Sequence, residues 1–285
     1  MARAIALMTL FNPQKNILKN IEGISSQVER IFLCDNSNCD NEEIFSAIGN
    51  ATYVSTRKNL GISTAFNNVL RDKTFEWKND DFIIFFDQDS KIKDGHVQKL
   101  EKEFSYLLEK GINVGCLGPV YFNRSNGSVE LARCKKKVAE NAYSVDSIIT
   151  SSMLTTYGRL EKIDFFNDEV FLDFADWDLC WRFTYNGMKC CVTDAVILDH
   201  AVGDGDKGFG PVSVKSYSPQ REYYQVRDSL YLMQKRYTPP KVKVWFATRV
   251  SIKAFFHCLV LDDKQKRLKD VLRGYRDYRH DITGE

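Results

Sequence analysis

The sequence has little net charge and no long hydrophobic run, and both absences exclude classes of protein. Lys and Arg number 40 against 38 Asp and Glu, so the formal net charge is only +2. No overall positive field therefore favours nucleic acid as a partner. No run reaches the roughly 20 apolar residues that a membrane-spanning helix needs, and the first residues lack the apolar core and cleavage site of a signal peptide. We expect a cytoplasmic protein, with contact at the membrane surface as a further possibility.

The cysteines and histidines also lack the patterns of common catalytic and metal centres. Eight cysteines are scattered along the chain without a Cys-x-x-Cys pair, although Cys190 and Cys191 are adjacent. This spacing predicts reduced thiols in a cytosolic protein and no zinc site. No Ser–His or Cys–His signature of a covalent nucleophile is evident. No glycine-rich phosphate loop lies near the N-terminus, which argues against a nucleotidyltransferase.

What the first half does contain is an alternation of strand-like and helix-like segments. Short apolar runs end in polar turns, and the segments between them carry apolar residues at helical spacing,. Such alternation favours an α/β fold with a mostly parallel central sheet and helices on both faces. The predicted strands are residues 4–8, 28–34, 51–54 and 82–86, and the predicted helices start at Pro13, lie around residues 44–48 and span residues 62–71.

The second half is less regular and changes character towards its end. An apolar run over residues 113–122 is interrupted by Gly118 and Pro119, and residues 188–192 and 195–198 are strand-like. Beyond Pro239 and Pro240 a helical pattern is rich in basic and aromatic residues. Residues 235–285 contain thirteen Lys or Arg against six Asp or Glu. We therefore expect a main domain followed by a smaller helical extension.

Two carboxylates follow the most apolar of the predicted strands. Asp87 and Asp89 come directly after the run Phe82-Ile83-Ile84-Phe85-Phe86. In an open α/β sheet, ligands bind outside the carboxyl ends of the strands, and hard divalent cations prefer carboxylate oxygens. The pair is therefore placed to hold a metal ion that in turn binds phosphate. A solvated acidic turn is the alternative interpretation, because the Asp-x-Asp pattern is common.

Three further carboxylates, Asp173, Asp176 and Asp178, lie close together at a predicted helix start that is followed by a stop at Asn186-Gly187. A helix N-terminus stabilises negative charge, so capping would explain any one of them. The flanking Phe and Trp residues indicate instead a pocket for an uncharged polar ligand such as a sugar, where a carboxylate could act as general base. His200 follows a strand-like run, and imidazole is a usual manganese ligand, although single histidines more often serve packing.

Taken together, a series of segments resembles the motifs of the family 2 glycosyltransferases of the GT-A fold, and most closely their rhamnosyltransferase-like branch. The segments occur in the family's order along most of the chain. Three departures from the family pattern are Ala175 in place of a frequent Glu, Ser152 in place of a common Gly and Asp228 in place of the usual Asn. The matching segments are residues 9–13, 34–37, 59–67, 86–90, 176–182, 200–203 and 221–228.

The resemblance implies a sugar-nucleotide donor, a single inverting displacement and Mn²⁺ or Mg²⁺ as the cofactor. It implies that Asp89 and His200 hold the metal ion, with Asp87 at the metal or the ribose, and that Asp176 is the general base. The implied donor-binding residues are Thr9, Asp35, Asn59, Asn67 and Asp87. The implied acceptor-binding residues are Asp173, Trp177, Asp178 and Arg182.

The resemblance also favours dTDP-L-rhamnose as donor and a glycan or lipid-linked glycan of cell-surface polysaccharide synthesis as acceptor. A UDP-hexose donor, or an inert sugar-nucleotide-binding protein on the same fold, are the alternatives. We expect a catalytic domain over residues 1–215, with a nucleotide-sugar half of about 1–120 and an acceptor half of about 121–215. The basic, aromatic extension over residues 216–285 would be a peripheral membrane contact, a lid or a homodimer interface.

Overall fold

A computed structural model describes residues 2–123, 128–130, 134–200, 206–209, 212–215 and 218–280. For some of these residues, including His200, only the backbone is described. The chain separates into two compact units. The first comprises Met1–Asp168 and Ala175–Val202, and the second comprises Glu169–Phe174 and Gly203–Glu285. The catalytic domain predicted over residues 1–215 stays a prediction.

The first unit is built on a ten-stranded sheet with the order β3-β2-β1-β4-β9-β5-β10-β8-β7, and β6 pairs with β5 outside this path. The strands are β1 (Ala4–Leu10), β2 (Arg30–Asp35), β3 (Ala51–Ser55), β4 (Phe82–Asp87), β5 (Val114–Asn123), β6 (Ser128–Glu130), β7 (Cys134–Ala139), β8 (Ala142–Val145), β9 (Met153–Thr156) and β10 (Lys189–His200).

Most of the central strands run in one direction. β3, β2, β1 and β4 pair in parallel, and so do β5 and β10. The short strand β9 lies between β4 and β5 and is antiparallel to both. β4 and β5 therefore share the direction of their parallel neighbours although they do not touch. The predicted α/β class with a mostly parallel sheet is confirmed.

Helices cover this sheet with apolar faces. The buried Ile21 and Ile24 and the buried Leu100, Phe104 and Leu107 belong to the main core cluster. Phe66 packs against Phe85 and Phe166 with ring centroids 4.8 and 5.2 Å away. The helices are α1 (Leu18–Ser25), preceded by a 3₁₀ turn at Lys15–Ile17, then α2 (Glu42–Phe45), α3 (Gly61–Leu70), α4 (His96–Glu109), α5 (Tyr157–Lys162) and α6 (Ala175–Tyr185).

The second unit is mainly helical. A buried carboxylate holds its helices together, because Glu222 Oε1 lies 2.7 Å from His257 Nδ1 and 2.8 Å from Arg267 Nη1. No helix among the described residues is long and apolar enough to cross a membrane. The elements are a hairpin of β11 (Asp206–Phe209) and β12 (Val212–Lys215), then α7 (Pro219–Gln234), α8 (Pro240–Trp245), a π-helical turn at Phe246–Val250, α9 (Ser251–Val260) and α10 (Lys264–His280).

Candidate active site

The carboxyl ends of β1, β2 and β4 lie side by side at one edge of the sheet. Thr9 in β1 is the register partner of Asp87 in β4, and Leu10 is the partner of Asp35 in β2. Parallel pairing therefore brings three of the predicted donor-site residues, Thr9, Asp35 and Asp87, to the same edge. Ligands of open α/β sheets bind at this position.

Hydrogen bonds fix the turn that carries Asp87 and Asp89, the two aspartates predicted to bind a metal ion. The backbone N–H of Asp87 donates to Ser90 Oγ at 3.1 Å, and the Ser90 N–H donates to the Asp87 carbonyl at 3.0 Å. Ser90 Oγ in turn lies 3.1 Å from Ser151 Oγ. Gln88 Oε1 accepts the backbone N–H of the first residue after β1 at 2.9 Å. Asp89 is exposed on this fixed turn, where a cation could reach its oxygens.

The carboxylate of Asp35 is buried and already accepts four hydrogen bonds. Ser37 donates its N–H at 2.8 Å and its hydroxyl at 2.5 Å, Asn41 Nδ2 donates at 2.8 Å, and Tyr53 donates its hydroxyl at 2.7 Å. An ionised carboxylate offers about four acceptor sites, so protein donors fill this one. Burial, and then the bond to Asp35, raise the pKa of Tyr53 to about 12. The contact of Asp35 with a nucleoside stays a prediction.

A shallow depression with a cavity volume of about 10 Å³ lies beside Asp35, lined by the ends of β2 and β3 and by Ala65 and Asn68 of α3. The start of α3 is fixed by two asparagines. Asn36 Nδ2 donates to the Gly61 carbonyl at 3.2 Å, and Asn59 Oδ1 accepts the Gly61 N–H at 3.1 Å. Asn59, which is predicted to bind the sugar-nucleotide donor, is exposed. Its side chain fixes the first turn of α3.

Asn67 on α3 is also predicted to bind the sugar-nucleotide donor, but it is buried and its amide forms hydrogen bonds within the protein. Its Nδ2 donates to the Phe166 carbonyl at 2.9 Å and to Asp168 Oδ1 at 2.7 Å, and its Oδ1 accepts the Phe166 N–H at 3.0 Å. In this structure Asn67 therefore braces the segment around Phe166. A direct contact of Asn67 with the nucleotide stays a prediction.

Asp176 lies in the first turn of α6, where its Oδ1 accepts the backbone N–H of Trp177 at 2.8 Å. Burial raises the pKa of the Asp176 carboxyl well above its usual range, and the negative charge of Asp87 raises it further. The role of Asp176 as the general base stays a prediction. A raised pKa is typical of a carboxylate that accepts protons in catalysis.

The other acceptor-site candidates on α6 are engaged within the unit. Asp178 is fully buried and pairs with Arg182, whose Nε lies 2.7 Å from Asp178 Oδ2. Arg182 Nη1 also donates to the Ile163 carbonyl at 2.7 Å. Trp177 is half-buried, and its ring centroid lies 6.0 Å from that of Trp181. The structure places these residues around the first turns of α6, and their contact with an acceptor stays a prediction.

The remaining predicted site residues are Asp173 and His200. Asp173 belongs to the second unit, where Arg221 Nη2 donates to its Oδ1 at 2.5 Å and Gln225 Nε2 donates to its Oδ2 at 2.9 Å. The contact of Asp173 with the sugar acceptor stays a prediction. His200 is the last residue of β10, but its side chain lies outside the described residues. The proposed metal ligation by His200 is therefore neither supported nor opposed by geometry.

The sequence matches the family model "Glycosyl transferase family 2" over residues 6–149, which is half of the chain. The chain belongs to glycosyl transferase family 2. This enzyme is also 26% identical over 249 residues to the dTDP-rhamnosyl transferase RfbF of Shigella flexneri, a match that covers 82% of this chain and 81% of RfbF. The predicted family is thereby confirmed.

Two solved structures resemble this family 2 glycosyltransferase in fold. A crystal structure of GalNAc-T7 with UDP, GalNAc and Mn²⁺ superposes with a TM-score of 0.57 at 11% identity, over 88% of this chain and 54% of that one. This chain thus spans about half the length of the GalNAc-T7 structure. Residues 1–349 of S. aureus TarS superpose with a TM-score of 0.55 at 14% identity, over 97% of this chain and 80% of that one. The predicted GT-A fold is confirmed.

The structure explains one departure of this glycosyltransferase from its family's pattern. Ser152 has a φ of 65°, in the left-handed region that glycine adopts without strain,. Its hydroxyl lies 2.6 Å from His96 Nε2, and its N–H donates to the Phe85 carbonyl at 2.6 Å. These bonds offset the strain of a side chain at a position where the family commonly has glycine. They also link the loop before β9 to the start of α4.

The Arg-x-Tyr-Tyr segment at the start of α7 has a role that sequence reasoning did not assign. Tyr224 stacks on Phe171 with ring centroids 3.6 Å apart and an angle of 3° between the rings. Arg227 Nη2 donates to the Glu169 carbonyl at 2.7 Å, and Asp228 Oδ2 accepts the Phe171 N–H at 2.9 Å. Together with Arg221, these residues hold the segment Glu169–Phe174. Burial raises the pKa of Asp228 to about 7, and its Oδ1 pairs with Arg227 Nη2 at 2.6 Å.

Sequence reasoning also missed a cluster of thiols. Cys116, Cys180 and Cys190 are buried, and their Sγ atoms all lie within 4.8 Å of one another. They come from β5, α6 and β10, so no short spacing in the sequence signals their convergence. The prediction of scattered thiols without a metal centre depended on spacing alone.

Proposed function

We propose that this chain transfers a sugar, with L-rhamnose from dTDP-L-rhamnose as the favoured donor, to a hydroxyl of a glycan or lipid-linked glycan. The reaction would be a metal-dependent inverting displacement in cell-surface polysaccharide synthesis. The observation that carries the proposal is the parallel register that brings Thr9, Asp35 and Asp87 to the same end of the sheet, and the charge of Asp87 is among the causes that raise the pKa of Asp176 in the first turn of α6. A proton acceptor and an oxygen-rich cation site would then face the same substrate.

The carboxylates at the end of β4 fit a hard divalent cation. Asp87 and Asp89, with His200 as a further ligand, would hold Mn²⁺ or Mg²⁺, since oxygen donors with one imidazole suit both ions. A cation bound there would offset the charge of the diphosphate leaving group. The bonds from Ser90 and Gln88 keep this turn in place before the donor binds, so little reorganisation is needed.

Asp176 would take the proton of the acceptor hydroxyl as its oxygen attacks the anomeric carbon from the face opposite the diphosphate. The carbon–oxygen bond to the diphosphate breaks in the same displacement, and the diphosphate leaves with the nucleoside. Because a single displacement inverts the anomeric centre, it needs one base and no covalent nucleophile.

The nucleoside would lie at the ends of β1 and β2, beside Thr9 and Asp35 and near the depression that Ala65 and Asn68 line. The preference for a dTDP-linked donor is supported by the similarity to RfbF. The GalNAc-T7 structure contains UDP, GalNAc and Mn²⁺, so a UDP-hexose is the second candidate. An inert sugar-nucleotide-binding protein is the third candidate, but it gives no reason for a base of raised pKa beside the metal-site turn.

A panel of sugar nucleotides tests the proposal directly. We expect nucleoside diphosphate release from dTDP-L-rhamnose with Mn²⁺ or Mg²⁺, stimulation by a glycan acceptor, and loss of release with a chelator or in Asp89→Ala. Release of nucleoside diphosphate from UDP-hexoses alone would identify a UDP-hexose as the donor and leave the proposed mechanism unchanged. Binding without release from any donor would favour the inert protein.

We propose also that the extension over residues 216–285 contacts an anionic membrane surface. The apolar face of α9 is open to solvent, with Ile252, Phe255, Phe256 and Leu259 exposed to 69%, 61%, 45% and 57%. Their i, i+3, i+4, i+7 spacing makes one stripe. The surrounding sequence has an excess of Lys and Arg, which is typical of helices that lie in the interface of anionic bilayers. The enzyme would then act at the cytoplasmic face, and a lid or a homodimer interface are the alternatives.

A further inference from the structure

Three cysteines converge at one point inside the first unit, away from the sheet edge that carries Thr9 and Asp35. Cys116 in β5 and Cys190 in β10 are register partners on adjacent parallel strands. Cys180 reaches them from α6, and all three side chains are at most 1% exposed. The three Sγ atoms lie within 4.8 Å of one another. Each of the three elements therefore supplies one thiol to a shared, solvent-free space.

We propose that Cys116, Cys180 and Cys190 form a three-sulfur site for a soft metal ion, with Cu⁺ as the best fit. Thiolates select Cu⁺ and Zn²⁺ over hard cations. With metal–sulfur bonds of about 2.3 Å, the sulfurs of a planar three-coordinate site lie about 4 Å apart. The observed spacing admits such a site after small side-chain rotations.

The number of ligand atoms at this site favours Cu⁺ over Zn²⁺. Structural zinc sites are almost always four-coordinate. Beside the three sulfurs, the polar side chain nearest to Cys190 in the described contacts is Thr184, whose neutral hydroxyl oxygen lies 4.0 Å from Cys190 Sγ. Cu⁺ is stable with three sulfur ligands and needs no fourth. Each thiol that becomes a thiolate ligand releases one proton to solvent, and the Cu⁺ ion offsets one of the negative charges so formed.

Simple packing is the competing explanation, because buried cysteines often behave as small hydrophobic residues. Packing explains why each thiol is buried. It does not require that the sulfurs of thiols from a helix and two strands come within 4.8 Å of one another. Two of them also have backbone partners, since Cys190 Sγ donates to the Cys180 carbonyl at 3.4 Å and Cys180 Sγ accepts the Ile148 N–H at 3.5 Å. Cys191, the neighbour of Cys190 in β10, is also buried but does not belong to the cluster, as expected when successive strand residues point to opposite faces.

The site would tie α6 to β5 and β10 one helical turn after Asp176. A bound ion would thus hold the first turns of α6 against the sheet. This consequence for catalysis rests on the proposed role of Asp176, whereas the metal site itself does not depend on it. Metal binding is therefore measured without substrate, so that its failure and the failure of the proposed function can be told apart.

The test is an anaerobic titration of the reduced, metal-free full-length chain with Cu⁺ against a chromogenic Cu⁺ chelator. We expect one equivalent to be withheld from the chelator, an increase in the melting temperature, and three sulfur ligands by X-ray absorption spectroscopy. Cys116→Ala and Cys190→Ala should lose this binding, whereas the matched control Cys191→Ala should keep it.

No withheld Cu⁺, fewer than three sulfur ligands, or equal loss in Cys191→Ala would overturn the proposal and leave packing as the explanation. Circular dichroism checks that each variant is folded. If the cluster variants do not fold, the chelator competition and the sulfur count of the unmodified chain still decide the question.

Discussion

The carboxyl group of Asp176 gives the sharpest test at the scale of a single residue. Because burial and the charge of Asp87 raise its pKa, the protonated, inactive form should accumulate as the pH falls through that raised value. We expect kcat/KM to decline on the acidic side accordingly. Asp176→Asn should lower kcat by about 10²–10⁴, abolish this pH dependence and leave donor affinity unchanged. Turnover across pH and calorimetric titration of the donor measure these effects.

Asp178→Asn and Asp173→Asn are the matched controls. Asp178→Asn leaves the guanidinium of Arg182 without its charge partner in the interior, so we expect a loss of stability on the order of 3 kcal/mol and no selective change of the pH profile. Asp173→Asn weakens the contacts with Arg221 and Gln225 in the second unit. If either control loses the decline of kcat/KM at acidic pH while Asp176→Asn retains near-normal turnover, Asp176 is not the base.

His96 should make the first unit sensitive to acid. Burial, and then the charge of Lys99, lower the pKa of His96 from 6.5 to about 4. Between these two values the unfolded chain binds a proton that the folded protein does not bind, so the free energy of unfolding falls as the pH falls from about 6.5 to 4. This single group accounts for a loss of about 3 kcal/mol at pH 4.

Urea unfolding of the unmodified chain and of His96→Gln, measured between pH 4 and 7, tests this contribution. The glutamine amide can keep a hydrogen bond to Ser152 but does not titrate in this range. We expect a shallower decline of stability with acid in the variant, and a constant difference between the two proteins above pH 6.5. Parallel curves over the whole range would show that His96 does not cause the acid sensitivity.

The sequence could place some of the site and not the rest, for physical reasons that differ by residue. Asp87 and Asp35 follow apolar strands, and parallel strands bring their carboxyl ends together, so this proximity was predictable. The sequence could not predict whether a polar side chain faces a ligand or pairs with other groups inside the protein, as Asn67 and Asp178 show. The convergence of Cys180 with thiols of two strands depends on tertiary packing and leaves no local spacing.

Among the helices, close packing of α10 on α7 depends on one glycine. A Cβ added to Gly274 would lie 2.9 Å from the Tyr223 carbonyl oxygen and 3.2 Å from Val226 Cβ. We therefore expect Gly274→Ala to force the helices apart and to destabilise the second unit by about 1–3 kcal/mol. Thermal and denaturant unfolding of this variant measure the loss.

Gly23→Ala is the control for Gly274→Ala. Gly23 also lies within a helix, α1, but nothing lies within 4 Å of an added Cβ. The higher helix propensity of alanine should stabilise this position by about 0.5–1 kcal/mol. Opposite signs for the two substitutions support the close-approach argument, whereas stabilisation by both would contradict it.

At the level of elements, strands and helices with strong local signals were predictable. The stop of α6 before Gly187, which has a φ of 75°, follows from its Asn-Gly pair. Helix α4 was not assigned, although Leu100, Phe104 and Leu107 repeat at helical spacing. Its start at Gly95 has no side-chain cap, so no boundary signal supported the pattern. The insertion of β9 between β4 and β5 is a long-range pairing that no local pattern determines.

At the scale of the whole molecule, the exposed face of α9 predicts attachment to anionic membranes. Vesicles that contain anionic lipid should co-sediment the full-length protein at low salt. The double substitution Ile252→Glu and Phe255→Glu should abolish this binding, because it places two charges in the apolar stripe. Leu108→Glu, at an exposed apolar position of α4, should not.

Substitution is a better test than truncation here. Removal of α9 and α10 would take His257 and Arg267 away from the buried carboxylate of Glu222 and so disturb the whole second unit. Equal sedimentation of the unmodified protein and of the double substitution Ile252→Glu and Phe255→Glu would exclude the membrane contact. A change of molecular mass with the double substitution would then indicate a homodimer, and an unchanged mass with altered kinetics would indicate a lid.

The position of β9 has a practical consequence for anyone who expresses part of this chain. The match to the family ends at residue 149, just ahead of the strand that lies between β4 and β5. A recombinant fragment cut there would leave the backbone of β4 unpaired along one side, next to side chains as apolar as Ile84 and Phe85. Unpaired strand edges of this kind recruit other chains. We expect such a fragment to form inclusion bodies, so a soluble one should extend at least through β10.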